Sequence, residues 1–182
     1  MNWQAALLRT LNRRLLPRWQ LVLRKSGHDD DDRMLTPRYR AMLLADLAAL
    51  LAPYLARAGL LPAGDAAVPQ ALVQEYLALH EARPIRDNTG GSRFNGSLSL
   101  FVIARLLDPL LIVESGTWQG HTAWLLAKAC PKAEIHSFDI EQDNLLHREA
   151  GVAYHLGDWM RSDIAAKDPE RSLCFFDDHV SH

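Results

Sequence analysis

Apolar residues follow two regimes along the chain. Through about residue 107 they recur at helical spacing, and from 109 onward they gather into short runs, each closed by glycine or a carboxylate. In the first regime Trp3, Leu7, Leu8, Leu11, Leu15, Leu16, Trp19 and Leu23 lie near one helical face, interrupted by Pro17. Thr36-Pro37 reads as an N-cap and first-turn proline of a helix through Leu51, with Pro53 near its end. A second helix is predicted from Pro69 to His80 on Leu72, Val73, Tyr76, Leu77 and Leu79, and a third from Leu98 to Leu107. The second regime predicts strands at Leu110–Val113, Ala133–Ile140, Val152–Asp158 and Leu173–His179, with a helix from Thr122 to Ala129 after the first.

The stretch 109–122 organises the rest. A branched apolar strand leads to Glu114, and Gly116 and Gly120 bracket a tight turn into a helix. Backbone N–H groups at such a helix start face a ligand, and glycine lets that ligand approach the main chain. Asp139 closes the next strand 23 residues after Gly116, where nucleotide-binding units place the carboxylate that accepts ribose hydroxyls. The third strand ends in Gly157-Asp158, and the fourth in Asp177-Asp178-His179.

The spacing Glu-x-Gly-x-Trp-x-Gly resembles motif I of class I S-adenosylmethionine-dependent methyltransferases, in the branch with an aromatic residue at the middle glycine position. The resemblance covers about residues 88–182. It implies a Rossmann-like doubly wound α/β sheet, with Glu114, Gly116, Thr117, Trp118, Gly120, Asp139, Asp158 and Trp159 around the cofactor. Trp118 has two readings, against the cofactor or as a wedge in the turn, and Trp159 two more, beside the adenine or packed on the sheet. The cluster Asp177-Asp178-His179-Val-Ser-His182 resembles the Asp-x-His-Ser pattern of metal-assisted O-methyltransferases, including the cephalosporin hydroxylase-like branch. On that resemblance Asp177 and Asp178 hold a divalent metal such as Mg, and Asp178 and His179 run the chemistry. The implied reaction is methylation of a small acceptor, most simply a sugar or secondary-metabolite hydroxyl.

Composition narrows the class. The 182 residues are 48% hydrophobic and 23% charged, as in ordinary globular chains. A net charge of −2 gives no basic excess for a general nucleic-acid binder. Two cysteines, Cys130 and Cys174, suggest neither a disulfide framework nor a zinc site, so a cytoplasmic setting is the expectation. Residues 1–25 carry six basic side chains and no acid, which fits an ordinary surface helix or a contact with anionic membrane or a second copy. The run His28–Arg33 reads as a solvated linker. Two regions follow: a helical N-terminal region, 1–87, and a cofactor-binding domain, 88–182.

Residues Asp87 to Ser97 form a glycine- and asparagine-rich loop, either a lid bringing Arg93 and Asn95 to the cofactor or a connector anchored by Phe94. His121, at the helix start, is a candidate contact for the cofactor carboxylate. His136, His147 and His155 read as structural. A full class I sheet has seven strands, so four imply a C-terminally truncated chain with an incomplete acceptor site. The alternatives are an NAD-dependent oxidoreductase, disfavoured by the missing middle glycine, and a non-catalytic cofactor- or partner-binding chain.

Overall fold

The computed structural model describes residues 37–177 except Ala66 and Lys167, with side chains of the first helix described from Leu44 onward, Ala45 excepted. The basic segment 1–25, the aspartate run, Thr36, Asp178, His179 and the last three residues lie outside the described residues.

Among the described residues three helices precede the sheet: α1 (Pro37–Arg57), α2 (Ala67–Ala82) and α3 (Phe94–Leu107). Helix α1 runs past Pro53 to Arg57 instead of ending near Leu51. Helix α3 begins at Phe94, four residues earlier than its sequence pattern predicts, so Asn95, Gly96 and Ser97 are first-turn residues and not loop. Its apolar face is the reason: Phe94, Leu98, Phe101 and Val102 are buried at helical spacing, and Phe94 anchors the start. The Tyr76 hydroxyl on α2 donates to the Phe94 carbonyl at 3.1 Å. The helix stops at Asp108, which adopts φ 44°, before Pro109, which cannot continue the ladder.

Four parallel strands follow: β1 (Leu111–Ser115), β2 (Glu134–Asp139), β3 (Val152–Leu156) and β4 (Ser172–Phe176), in the order β3-β2-β1-β4. Helix α4 (His121–Ala129) crosses from β1 to β2. The 140–151 connection contains no helix, so His147 lies in a loop. The fold is an α/β sheet of the Rossmann-like kind, with the chain moving outward from β1 to β3 and then returning to place β4 on the other side of β1.

One core joins the helices to the sheet. Leu55 of α1, Val73, Tyr76 and Leu77 of α2, Phe101 of α3 and Leu125 and Leu126 of α4 pack with Ile112 and Ile135, which are register partners. Helices α1 and α2 therefore share their apolar interior with the parallel sheet. On the opposite face lie Trp159, Ser162, Ile164 and Ala166 of the connection after β3, which carries two one-turn 3-10 helices, Trp159–Arg161 and Pro169–Arg171. Trp159, Ile164 and Ala166 there enclose a pocket of about 210 Å³ against Val113, Leu173 and Cys174. No helix among the described residues is long and apolar enough to cross a membrane.

Gly120 ends the turn after β1 at φ 92°, and a β-carbon there would lie 2.1 Å from the His147 carbonyl oxygen. That oxygen belongs to a loop pinned in place, because Leu146 and His147 N–H both donate to the Gln119 carbonyl at 3.1 Å. Gly120→Ala is expected to cost roughly 3 kcal/mol or more in denaturant unfolding. Gly151→Ala, at φ 85° with nothing within 4 Å of the added carbon, should cost only about 1 to 2 kcal/mol. Equal losses at the two positions would contradict the close packing under Gly120.

Candidate functional site

Reversal of strand order between β1 and β4 creates a crevice at their carboxyl ends, the place where open α/β sheets bind ligands. The turn 116–120, the loop 88–92 and Asp177, the first residue after β4, meet there around a cleft of about 20 Å³. That volume holds one water-sized group.

The turn after β1 is held by the tip of β2. Phe138 O accepts from Gly116 N at 2.9 Å and Thr117 N at 3.2 Å, and Asp139 Oδ2 accepts from Trp118 N at 2.9 Å. Gly116 has φ 98°, and Trp118 has φ 48°, a left-handed conformation that glycine adopts without strain. The main chain thus follows a glycine-turn path although an indole stands at the middle position. Below the turn, Thr117 Oγ1 pairs with Ser137 Oγ at 2.6 Å, and Ser137 Oγ donates to Glu114 Oε2 at 2.5 Å. Glu114 lies inside β1, one residue before its end, and is fully buried. Burial, and after it the charges of Asp139 and Asp177, push its carboxyl up to about 8 against the help of Ser137. It is a neutral structural acid at pH 7, tying β1 to β2 beneath the turn, and it does not line the cleft.

The loop Asn88–Ser92 covers the turn. The Trp118 indole N–H donates to Thr89 O at 3.0 Å, and its ring lies 3.3 Å from where a β-carbon on Gly90 would be. Asn88 Nδ2 donates to Ser92 O at 2.9 Å, and Ser92 Oγ donates to Asp177 Oδ2 at 3.3 Å. Arg93 and Asn95 are exposed and line no part of the cleft. His121 opens α4, is 4% exposed, and meets Ser97 Oγ through Nε2 at 3.2 Å. Burial, then the charge of Arg83, lowers its pKa to about 4, so the ring is neutral at pH 7.

Parallel register brings the strand tips to one edge, so Asp139, Asp158 and Asp177 share the end of the sheet that carries the cleft. Asp177, Gly116, Thr117 and Trp118 line the cleft, while Asp139 stands behind Trp118 and binds its N–H. Asp158 is set apart, capping the 3-10 turn by accepting from Met160 N at 3.0 Å. Trp159 stacks on Phe176 at 4.9 Å between ring centroids and helps wall the pocket on the opposite face. No group of three or more His, Cys, Asp or Glu side chains among the described residues is placed to hold a metal ion. Three residues of the cleft region, Asn88, Ser92 and Ser97, carry no separate signal in the sequence beyond a loop composition. Compared with known proteins, the chain matches no family model and no curated sequence.

Glu114 and His121 titrate in opposite senses. The folded state holds the Glu114 proton to about 8 against an ordinary 4.5, so its contribution is complete below pH 4.5 and lost as pH rises through 8. His121 contributes above its ordinary 6.5, and that contribution is lost as pH falls through about 4. Between pH 6.5 and 8 only Glu114 of this pair changes. Wild-type stability is expected to fall by roughly 2 kcal/mol across that window, and Glu114→Gln to flatten the slope. An equal slope in the variant's denaturation midpoints would assign the pH dependence elsewhere.

Proposed function

We propose that the crevice binds S-adenosylmethionine and that the chain is a class I-type methyltransferase acting on a small hydroxyl-bearing acceptor. The observation that carries this reading is the glycine-type turn at the β1/β4 switch point, with the Asp139 carboxylate of the neighbouring strand tip fixed against it at 2.9 Å. A nucleoside laid across such a turn meets a carboxylate for its ribose hydroxyls, because each carboxylate oxygen accepts more than the single N–H that Asp139 receives from Trp118 or Glu141. Bound there, the sulfonium would supply an electrophilic methyl group.

The chain's own part is alignment, water exclusion and proton removal. In its present position the loop Asn88–Ser92 leaves room for one water-sized group, so a nucleoside would enter by lifting it off Trp118 and then lie beneath it. Asp177 is the described carboxylate at the β4 tip and would take the acceptor's proton, with Asp178 and His179 as the neighbouring candidates. A single described carboxylate there does not define a divalent-cation site, and no metal step is built on it.

The NAD reading is weaker for a geometric reason. At the middle position of the turn the Trp118 ring rests under Thr89 and Gly90, where a dinucleotide pyrophosphate would need bare backbone. S-Adenosylhomocysteine at about one hundred times its Kd is expected to add about 2.7 kcal/mol to the native state and raise the melting temperature, and NAD to leave it unchanged. Stabilisation by NAD alone would overturn the proposal. Asp139→Ala should weaken S-adenosylhomocysteine by about 1 to 3 kcal/mol in calorimetry, and unchanged affinity would remove Asp139 from the ligand contacts.

A further inference from the structure

Strand β4 closes one side of the sheet, and among the described residues β1 is its only strand neighbour. Its sequence, Ser-Leu-Cys-Phe-Phe, carries no charge and no proline to discourage a further strand. Cys174 is exposed, and Phe176 is 48% exposed. The other outer strand, β3, is guarded, because the Arg148 guanidinium lies 5.0 Å over the ring of Tyr154 at its centre. A long charged side chain over an outer strand opposes pairing there.

The backbone decides which groups of β4 point outward. Arg171 O accepts from Leu110 N at 2.8 Å and Asp177 N donates to Ser115 O at 2.9 Å, so both residues face β1. Main-chain groups alternate in direction along a strand. Leu173 and Phe175 therefore face β1 as well, and Ser172, Cys174 and Phe176 turn their N–H and C=O groups to the outer edge. Of these, the Ser172 N–H is given to Pro169 O.

That edge is complementary to itself. A twofold axis through Cys174, perpendicular to the sheet, lays an antiparallel copy of β4 alongside. Cys174 then stands opposite Cys174, Ser172 opposite Phe176 and Leu173 opposite Phe175, so outward main-chain groups meet outward main-chain groups. One residue beyond each strand end, the same axis sets Arg171 of each copy opposite Asp177 of the other. Opposite charges facing each other across paired strands stabilise the pairing. An axis one residue to either side loses this match, because Arg171 would then face Phe175 or His179. Arg171 is exposed and engages Asp108 through Nη2, and a guanidinium has further donors for a second carboxylate.

We propose that β4 is the contact surface for a second copy of this chain, the two strands pairing antiparallel about Cys174 to make one continuous sheet. The partner's Arg171 then stands beside Asp177, the carboxylate that reaches the cleft from β4. The pairing does not depend on whether the crevice takes a nucleoside. A contact built on two five-residue strands is at the small end of protein interfaces, so association depends on concentration.

Sedimentation velocity of the full chain across the micromolar range is expected to show monomer passing to dimer. Arg171→Glu and Asp177→Lys each set like charges opposite one another twice, and each should weaken the dimer by about tenfold or more. An equimolar mixture of the two variants restores opposite charges at both contacts. The mixed dimer should recover wild-type affinity, which a folding defect in either variant would prevent. Oxidation with copper phenanthroline should link wild-type copies through Cys174, because residues opposed in such a pair lie about 5.5 Å apart between α-carbons, within disulfide reach. Cys174→Ser should abolish the link, and Cys130→Ser should leave it, since Cys130 is buried. A chain that stays monomeric throughout overturns the pairing. So does a dimer that persists in both charge variants, that the mixture fails to restore, or that still links in Cys174→Ser.

Discussion

The last two residues of β2 hold three consecutive N–H groups of the turn after β1, and the crevice depends on that grip. Phe138 O takes Gly116 and Thr117, and Asp139 Oδ2 takes Trp118. Polar main chain near a buried strand end has to be paired, and pairing it with the neighbouring strand tip makes the turn part of the sheet. The Glu114–Ser137–Thr117 chain braces the same joint from inside the core. A left-handed Trp118 is tolerated because the surrounding bonds over-determine it.

From that joint the upper wall of the site follows. Trp118, fixed by its main chain, presents an indole N–H that Thr89 O accepts, and the loop Asn88–Ser92 is thereby laid over the crevice. Ser92 then links the loop to Asp177 on the far side of the switch point. Ser92 O takes both Asn88 and Ser97, which orients Asn88 and brings Ser97 Oγ within 3.2 Å of His121 Nε2. A chain of ordinary hydrogen bonds thus converts a strand-order reversal into a small polar cleft.

Strand identities were legible in the sequence because buried parallel strands are short branched runs with polar ends, and Ile112, Val113, Ile135 and Phe138 fit that form. Their boundaries shifted by one to three residues: Glu114 looked like a strand tip and is an interior strand residue, because Ser137 on the register-paired strand gives its carboxyl a buried partner. No local pattern announces that pairing, which depends on the register of two strands about twenty residues apart. The start of α3 was misread for a similar reason, since Asn95, Gly96 and Ser97 have turn-like propensities and tertiary burial of Phe94 outweighs them. Asn88 and His121 were visible as residue types, but their burial beside the turn emerges only when Ser92 and Ser97 are placed against them. Asp158 and Trp159 were assigned by position after a strand, and the 3-10 turn there aims Trp159 at Phe176 on the other face.

The central claim is that ligand recognition is concentrated at the β1/β4 switch point under the loop 88–92, and its most direct test is amide mapping by two-dimensional NMR during titration with S-adenosylhomocysteine. The account predicts that the largest shifts cluster at Gly90, Gly91, Gly116, Trp118, Gly120 and Asp177, with the Trp118 indole resonance moving as the Thr89 contact opens. Shifts confined to Trp159, Ile164 and Cys174 on the opposite face would contradict it, as would none at saturating ligand.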